Sequence, residues 1–125
     1  MCASPMASPA EVLRAFGERL ADGDAEGAAS LFTEDVAYAE PPAAIFTGRV
    51  TLRDFIADFA ARHHDVSFTV TRTLPSPDGQ EAAAEWQWAY TRDSSGERRV
   101  FEGMCFVTLR DGLIASWRGF SALVG

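Results

Sequence analysis

The spacing of apolar residues changes once along this chain, near residue 64. Before that point, apolar side chains mostly recur at the spacing that places them on one face of an α-helix. After it they alternate with polar residues, which is typical of half-buried β-strands. We therefore expect helices to dominate the first half of the chain and a run of hairpin-connected strands to form the second half.

The first helix has a recognisable start signal. Ser8 can accept a hydrogen bond from the first turn, Pro9 suits the first helical position, and Glu11 completes a capping box. An apolar stripe follows at helical spacing and consists of Val12, Leu13, Phe16 and Leu20. Residues 1–7 show no periodicity and are predicted to form a disordered tail, which leaves a single domain over residues 8–125.

Two further helices are predicted before the change of period. Asp24 is the expected N-cap of a short second helix that runs through Leu31 and Phe32. Thr51 is the expected N-cap of a third helix. The predicted inward face of this third helix consists of Leu52, Phe55, Ile56 and Phe59.

Five strands complete the predicted fold. The first runs from Val36 to Glu40 and stops there because the next two residues, Pro41 and Pro42, cannot donate to a strand ladder. The other four are separated by turn sequences, and they cover about residues 66–71, 82–90, 100–109 and 113–124. This order predicts an α+β fold with the helices on one face of a mostly antiparallel sheet.

The strand near residue 105 has apolar residues on both of its faces. If Glu102 faces inward, then Met104 and Phe106 also face inward. The outward set is then Phe101, Cys105, Val107 and Leu109. A sheet that is apolar on both sides needs two covers, so we expect the helices on one side and a second copy of the chain, forming a homodimer, on the other.

Charge, cysteine and histidine content narrow the possible functions. A net charge of −7 repels phosphate backbones, so no nucleic acid partner is expected. No apolar run approaches the ~18 residues of a membrane helix, so no membrane contact is expected.

Cys2 and Cys105 lie in very different contexts, which predicts free thiols in the reducing cytoplasm. His63 and His64 are expected to cap the third helix, with a catalytic role left open, and no metal or other cofactor is predicted.

Three stretches, LFTEDVAYAEPP, GRVTLRDFI and RDGLIASWRGF, together with the order of elements, resemble the nuclear transport factor 2-like superfamily. The resemblance extends from about Pro9 to Val124 and is greatest to the SnoaL-like and ketosteroid isomerase-like branches. It implies an NTF2-like (cystatin-like) cone, in which three N-terminal helices pack on a curved sheet around a deep apolar pocket. It also implies that a homodimer would form through the outer sheet face.

Candidate catalytic residues also follow from the resemblance. In ketosteroid isomerases the strand after the second helix ends in an acid followed by proline, and this acid transfers the proton; Glu40 matches it. A second acid, kept neutral on a later strand four residues before an aromatic residue, is matched best by Glu102, which precedes Phe106 by four residues. Their first-helix tyrosine is matched by Phe16, which has no hydroxyl, so Tyr38, on the same side of its strand as Glu40, is the candidate replacement.

The limonene epoxide hydrolase pattern is not matched. Its Arg-x-Asp pair corresponds to Trp86 and Trp88, and its closing acid corresponds to Gly119. An epoxide hydrolase of this type is therefore not predicted, although Trp117, Arg118 and Phe120 preserve the frame of the closing motif.

Aromatic residues dominate the predicted pocket. The candidate ligand-binding residues are Phe16, Leu20, Phe55, Phe59, Trp86, Trp88, Tyr90, Met104, Phe106 and Trp117. Such a lining suits a small, flat hydrophobic molecule. Large aromatic rings are, equally, ordinary core material, so a filled interior is the alternative.

Two functions are compatible with these features. One is a cofactor-free isomerase, dehydratase or polyketide cyclase-type enzyme, in which burial would raise the pKa of Glu40 and make it a proton carrier. The other is a non-catalytic ligand-binding or dimeric interaction module. In that case Glu40 is an exposed strand-end residue, and Glu102 pairs with Arg98, Arg99 or Arg118.

Overall fold

The computed structural model describes residues 8–41 and 44–125. The elements in chain order are α1 (Pro9–Ala21), α2 (Ala25–Ala29), β1 (Phe32–Glu40), β2 (Ala44–Thr47), α3 (Arg49–Arg62), β3 (His63–Pro75), β4 (Glu81–Arg92), β5 (Arg98–Arg110) and β6 (Leu113–Leu123). The predicted tail, residues 1–7, and Pro42 lie outside the described residues. Among the helices that the structure describes, none is both long and apolar enough to cross a bilayer.

The sheet has six strands in the order β2-β1-β6-β5-β4-β3. β1 runs parallel to β6, and every other neighbouring pair is antiparallel. α1 packs against β3 and α3 packs against β1, so both long helices cover the same face of the sheet. The predicted α+β architecture is confirmed, and the core lies between this face and the helices.

The local signals at the start of α1 act as predicted. Ser8 Oγ accepts a 3.2 Å hydrogen bond from the Glu11 backbone N–H, and the Glu11 carboxylate accepts one of 2.9 Å from the Ser8 N–H. Asp24 caps α2, because its carboxylate accepts from the Gly27 N–H at 2.9 Å. The expected extension of α2 to Phe32 is wrong, since Phe32 pairs with Ile114 and begins β1.

The start of α3 differs from the prediction. Gly48 is the N-cap residue, with a φ of 100° that favours glycine, and Thr51 lies inside the first turn. The reason is β2, a short strand that the sequence did not predict. β2 leads directly into the helix, and the Gly48 N–H donates a 2.8 Å hydrogen bond to the carbonyl oxygen of Val36.

The orientation predicted for β5 is wrong. Cys105, Val107 and Leu109 face the core, whereas Met104 is 53% exposed and Phe106 is 67% exposed. The pairing with β4 explains this, because directly opposed residues of antiparallel strands share a face. Cys105 is opposite Ala84, and Gly103 is opposite Trp86, so the neighbouring residues Glu102, Met104 and Phe106 lie on the outer face.

Candidate functional site

The candidate site lies where β1 ends, next to β6. Alternation along β1 turns Tyr38 and Glu40 toward the helix-covered face, where Trp117 of β6 is paired with Tyr38. The Trp117 Nε1–H donates a 2.9 Å hydrogen bond to Glu40 Oε1. The Tyr38 hydroxyl donates to the same oxygen at 3.3 Å. Two neutral donors therefore hold one oxygen of the carboxyl group.

Gly119 provides the space for this carboxyl group. Ala39 pairs with Arg118, so Gly119 lies beside Glu40 in the parallel ladder. A Cβ atom on Gly119 would lie 3.0 Å from Glu40 Oε1 and 2.9 Å from Trp117 Nε1. The hydrogen bond between these two groups therefore depends on a residue without a side chain. The sequence signal for this role is a glycine inside a strand, which often marks a position where another part of the chain or a ligand comes close to the backbone.

Stacked rings fix the orientation of Tyr38. Its ring lies between Phe46, at a centroid distance of 5.0 Å and an interplanar angle of 4°, and Trp117, at 5.5 Å and 13°. Phe46 belongs to β2 and is a site residue that the sequence did not reveal. A four-residue strand after two prolines is too short to show a readable alternation.

The surroundings alter the proton affinity of both ionisable groups. Burial raises the pKa of Glu40, and the hydrogen bonds from Trp117 and Tyr38 offset only part of this rise. Burial and the neighbouring Glu40 carboxylate raise the pKa of Tyr38 well above its usual value. Tyr38 therefore keeps its proton and acts as a donor, while the protonated form of Glu40 is favoured relative to that of an exposed glutamate.

A small cavity adjoins Glu40 inside the cone. Its lining consists of Phe16, Leu20, Tyr38, Glu40, Leu52, Phe55, Ile56, Phe59, Phe68 and Trp88. The centre of a water molecule can occupy a volume of about 30 Å³ there, which is room for roughly two waters. Aromatic rings fill most of the remaining interior: Phe16 alone makes edge contacts with Phe32, Phe68 and Trp117.

The predicted ligand-binding residues divide into three groups. Those that line the cavity are Phe16, Leu20, Phe55, Phe59 and Trp88. Trp86, Tyr90 and Trp117 are buried within the ring packing instead. Met104 and Phe106 lie on the outer face, because β5 has the opposite orientation to the one predicted.

The sequence profile of the SnoaL-like domain matches residues 13–117. The chain belongs to the SnoaL-like domain family. No curated protein sequence matches it significantly.

Solved structures share the fold of this SnoaL-like domain at low sequence identity. A candidate isomerase from Bacillus subtilis is 23% identical with a TM-score of 0.80, and the match covers 90% of this chain and 85% of that one. A hypothetical protein with a ketosteroid isomerase-like fold from Catenulispora acidiphila is 18% identical, with a TM-score of 0.79 and coverages of 90% and 85%. A candidate polyketide cyclase from Pseudomonas putida is 19% identical, with a TM-score of 0.77 and 90% coverage of each chain. The cone of the NTF2-like superfamily is therefore confirmed, while a shared fold leaves the reaction open.

Glu102 is not part of the site in this SnoaL-like domain. It lies exposed on the outer face of β5, so the expected pair of acids in one cavity is wrong. The alternative ion pair is not formed either: within residues 8–41 and 44–125, Glu102 makes no salt bridge with an arginine, and Arg99 pairs with Glu97. Glu102 was matched by its spacing from an aromatic residue, and that spacing does not determine which face a strand residue occupies.

The two histidines lie outside the cavity of the SnoaL-like domain. The His63 Nδ1–H donates a 2.8 Å hydrogen bond to the carbonyl oxygen of Phe59, in the last turn of α3, as expected for a capping residue. His64 contacts the carboxylate of Asp93. In the described part of the chain, no three His, Cys, Asp or Glu side chains lie close enough together to hold a metal ion.

The prediction that Cys105 faces the outer surface is wrong, because this residue faces the core. It is a free thiol, 2% exposed. Burial raises the pKa of Cys105 to about 12, so the thiolate is disfavoured and the residue is unsuited to act as a nucleophile.

Proposed function

We propose that this SnoaL-like domain is a cofactor-independent acid–base enzyme in which Glu40 moves a proton on a small apolar carbonyl compound. The reaction class is isomerisation, dehydration or cyclisation. The observation that best supports it is the position of Glu40, a partly buried carboxyl group beside an otherwise apolar cavity, with its pKa raised by burial. An acid with a raised pKa is a better proton carrier near neutral pH than an exposed one.

The hydrogen bonds of Glu40 give its two carboxyl oxygens different roles. Oε1 accepts from both Trp117 and Tyr38. Among the described residues, neither of these donors contacts Oε2, so Oε2 is the atom that takes the proton from the carbon next to a carbonyl group. The C–H electron pair then forms a carbon–carbon double bond, and the carbonyl π electrons move onto oxygen. Where a second carbon–carbon double bond adjoins this carbon, the electrons extend over it, and return of the proton from Glu40 at the far carbon of that bond completes an isomerisation.

The ligand enters past Phe55 in this proposal. The cavity has room for only about two waters, so a substrate must displace side chains. Phe55 is 42% exposed and touches Phe46 at a centroid distance of 5.8 Å with tilted rings. It is the cavity-lining ring with most contact to solvent, and its rotation would open the cavity without disturbing Glu40.

The first experiment measures proton exchange directly. The α-protons of cyclohexanone and of small aryl ketones are followed by ¹H NMR in D₂O with the purified protein. We expect exchange above the buffer rate, and we expect Glu40→Gln to lower the enzymatic rate by about 10²- to 10⁴-fold, since that is the usual contribution of one general acid–base group.

Glu102→Gln is the matched control, because it makes the same change at an exposed position on the outer face. It should exchange protons at the wild-type rate. Wild-type exchange in Glu40→Gln, or equal losses in both variants, would contradict the proposed role of Glu40.

A second candidate function rests on a different surface. The outer face of the sheet has a broad concavity of about 850 Å³, far larger than the cavity inside the cone. Met104, Phe106 and Phe120 are exposed there. We propose that this face binds a second copy of the chain. If the first experiment fails, this dimeric interaction module is the function that remains.

A further inference from the structure

The indole N–H of Trp88 is buried without a hydrogen-bond partner among residues 8–41 and 44–125. Its ring packs against Phe59 at 5.0 Å, Tyr90 at 5.2 Å and Phe101 at 6.1 Å between centroids, and none of these rings offers a strong acceptor to it. A buried donor that loses its bond to water and gains no partner destabilises the fold. Such groups are uncommon in native proteins, and a missing acceptor is one of the explanations to test.

Trp88 and Glu40 line the same cavity from different strands. Glu40 belongs to β1 and Trp88 to β4, with β6 and β5 between them in the sheet. Apart from these two, the only lining side chain with a hydrogen-bonding group, within the described residues, is Tyr38. The Tyr38 hydroxyl already donates to Glu40. The cavity lining therefore includes one acid and one residue, Trp88, whose buried N–H the acid does not use.

We propose that the Trp88 Nε1–H binds the carbonyl oxygen of the ligand and stabilises the negative charge that forms there when Glu40 removes the neighbouring proton. This inference rests on the proposed function and adds to it the group that binds the ligand oxygen. The C–H bond breaks, the proton moves to Glu40 Oε2, and the electrons end on the ligand oxygen, which stays hydrogen-bonded to Trp88. The indole donates throughout and is not itself deprotonated.

The arrangement defines the class of ligand. A single neutral donor in an apolar lining suits a ketone or aldehyde with one acceptor oxygen and an otherwise hydrocarbon body. It disfavours ligands with several hydroxyl groups, because their remaining polar groups would lose water without finding partners. An anionic ligand would also lie close to Glu40 without any cation in the lining.

Trp86 is the natural comparison within the chain. Its indole nitrogen also makes no regular hydrogen bond among the described residues, although it faces the thiol of Cys105. However, Trp86 is 2% exposed and does not line the cavity; its ring covers Gly103, where a Cβ atom would lie 2.4 Å from it, and stacks on Phe68 at 5.0 Å. Both indole nitrogens are buried, but only Trp88 lines the cavity, so Trp88 and not Trp86 adjoins a ligand bound there.

The experiment uses two ligands of the same shape that differ in one acceptor atom. Cyclohexanone and methylenecyclohexane are titrated into ¹⁵N-labelled protein, and the three tryptophan indole N–H signals are assigned from Trp→Phe variants. We expect cyclohexanone, and not methylenecyclohexane, to move the Trp88 indole proton downfield, because only the ketone accepts a hydrogen bond. Trp88→Phe should lower the rate of α-proton exchange by about 10²- to 10³-fold, the usual effect of removing one oxyanion donor.

Trp86→Phe is the control. In this variant cyclohexanone should still move the Trp88 indole signal, and methylenecyclohexane should not. If no ketone-specific change occurs at the Trp88 signal, or if Trp88→Phe exchanges protons at the wild-type rate, the inference is overturned. A distinct result separates it from the proposed function: if Glu40→Gln retains full activity while cyclohexanone still shifts the Trp88 signal, the catalytic role of Glu40 fails and the docking role of Trp88 stands.

Discussion

At the scale of single residues, Glu40 links the stability of the fold to pH. Its pKa in the folded state is raised by burial, so the folded chain holds this proton more strongly than the unfolded chain does. When pH rises from the unfolded pKa to the folded one, the unfolded chain loses the proton first. The free energy of unfolding therefore falls across this window and stays lower above it.

Replacement of Glu40 by Gln removes this dependence. We expect the stability of Glu40→Gln relative to wild type to increase as pH rises through the window, by about 1.4 kcal/mol for each unit by which folding raises the pKa. Urea denaturation at several pH values between about 4 and 8 measures the difference, and the contributions of other groups cancel in it. The free energy of unfolding of Glu102→Gln should vary with pH in the same way as that of wild type. If the free energies of unfolding of Glu40→Gln and wild type differ by the same amount at every pH, the interpretation of Glu40 as a buried acid is refuted.

At the scale of elements, the sequence predicts local features such as helix caps, but it does not predict how the strands pair. The capping box of α1 was predicted because Ser8 and Glu11 recognise each other within one turn. The orientation of β5 was not, because its two faces are both apolar, and only the register against β4, with Cys105 opposite Ala84, decides between them. The inward direction of Glu40 was predicted as one of two alternatives, since strand alternation related it to Tyr38 but did not show which face the helices cover.

The pairing of β1 with β6 is the structural basis of the site, and Gly119 tests it. An alanine in a strand is normally more favourable than glycine because it reduces the freedom of the unfolded chain. At this position the added Cβ would meet Trp117 Nε1 at 2.9 Å and Glu40 at 3.0 Å. We expect the clash to outweigh the gain, so that Gly119→Ala lowers the free energy of unfolding by about 1–3 kcal/mol.

The same substitution should separate Glu40 from its indole donor. The measurement is the Trp117 indole proton signal, which should move upfield as its hydrogen bond to Glu40 weakens. Ser121→Ala, at an exposed position of β6, is the control and should change neither this signal nor stability. An unchanged Trp117 signal in a folded Gly119→Ala protein would show that the carboxyl group does not need the space.

At the scale of the whole molecule, the outer face of the sheet combines apolar and charged groups in a pattern that can complement itself. One row across the sheet consists of Ile45, Ala39, Arg118, Phe106, Ala83 and Leu74, in ladder order. Glu102 and Glu85 lie on the same face. A two-fold axis places the same surface on both partners, so the arginine of one copy can meet a glutamate of the other while the phenylalanines are buried.

We therefore expect the protein to be a dimer, with twice the chain mass of 13.5 kDa, at micromolar concentration. Phe106→Arg places a cation beside Arg118 in the centre of the apolar row, and we expect it to weaken association by at least about 30-fold, since central aromatic anchors commonly contribute 2 kcal/mol or more. Val50→Arg makes the same change at a 61%-exposed position on α3 and should leave the dimer intact. Light scattering coupled to gel filtration measures all three proteins. A monomeric wild type, or equal dissociation in both variants, would contradict the outer face as the interface, whereas a dimer lost only in Phe106→Arg would support it.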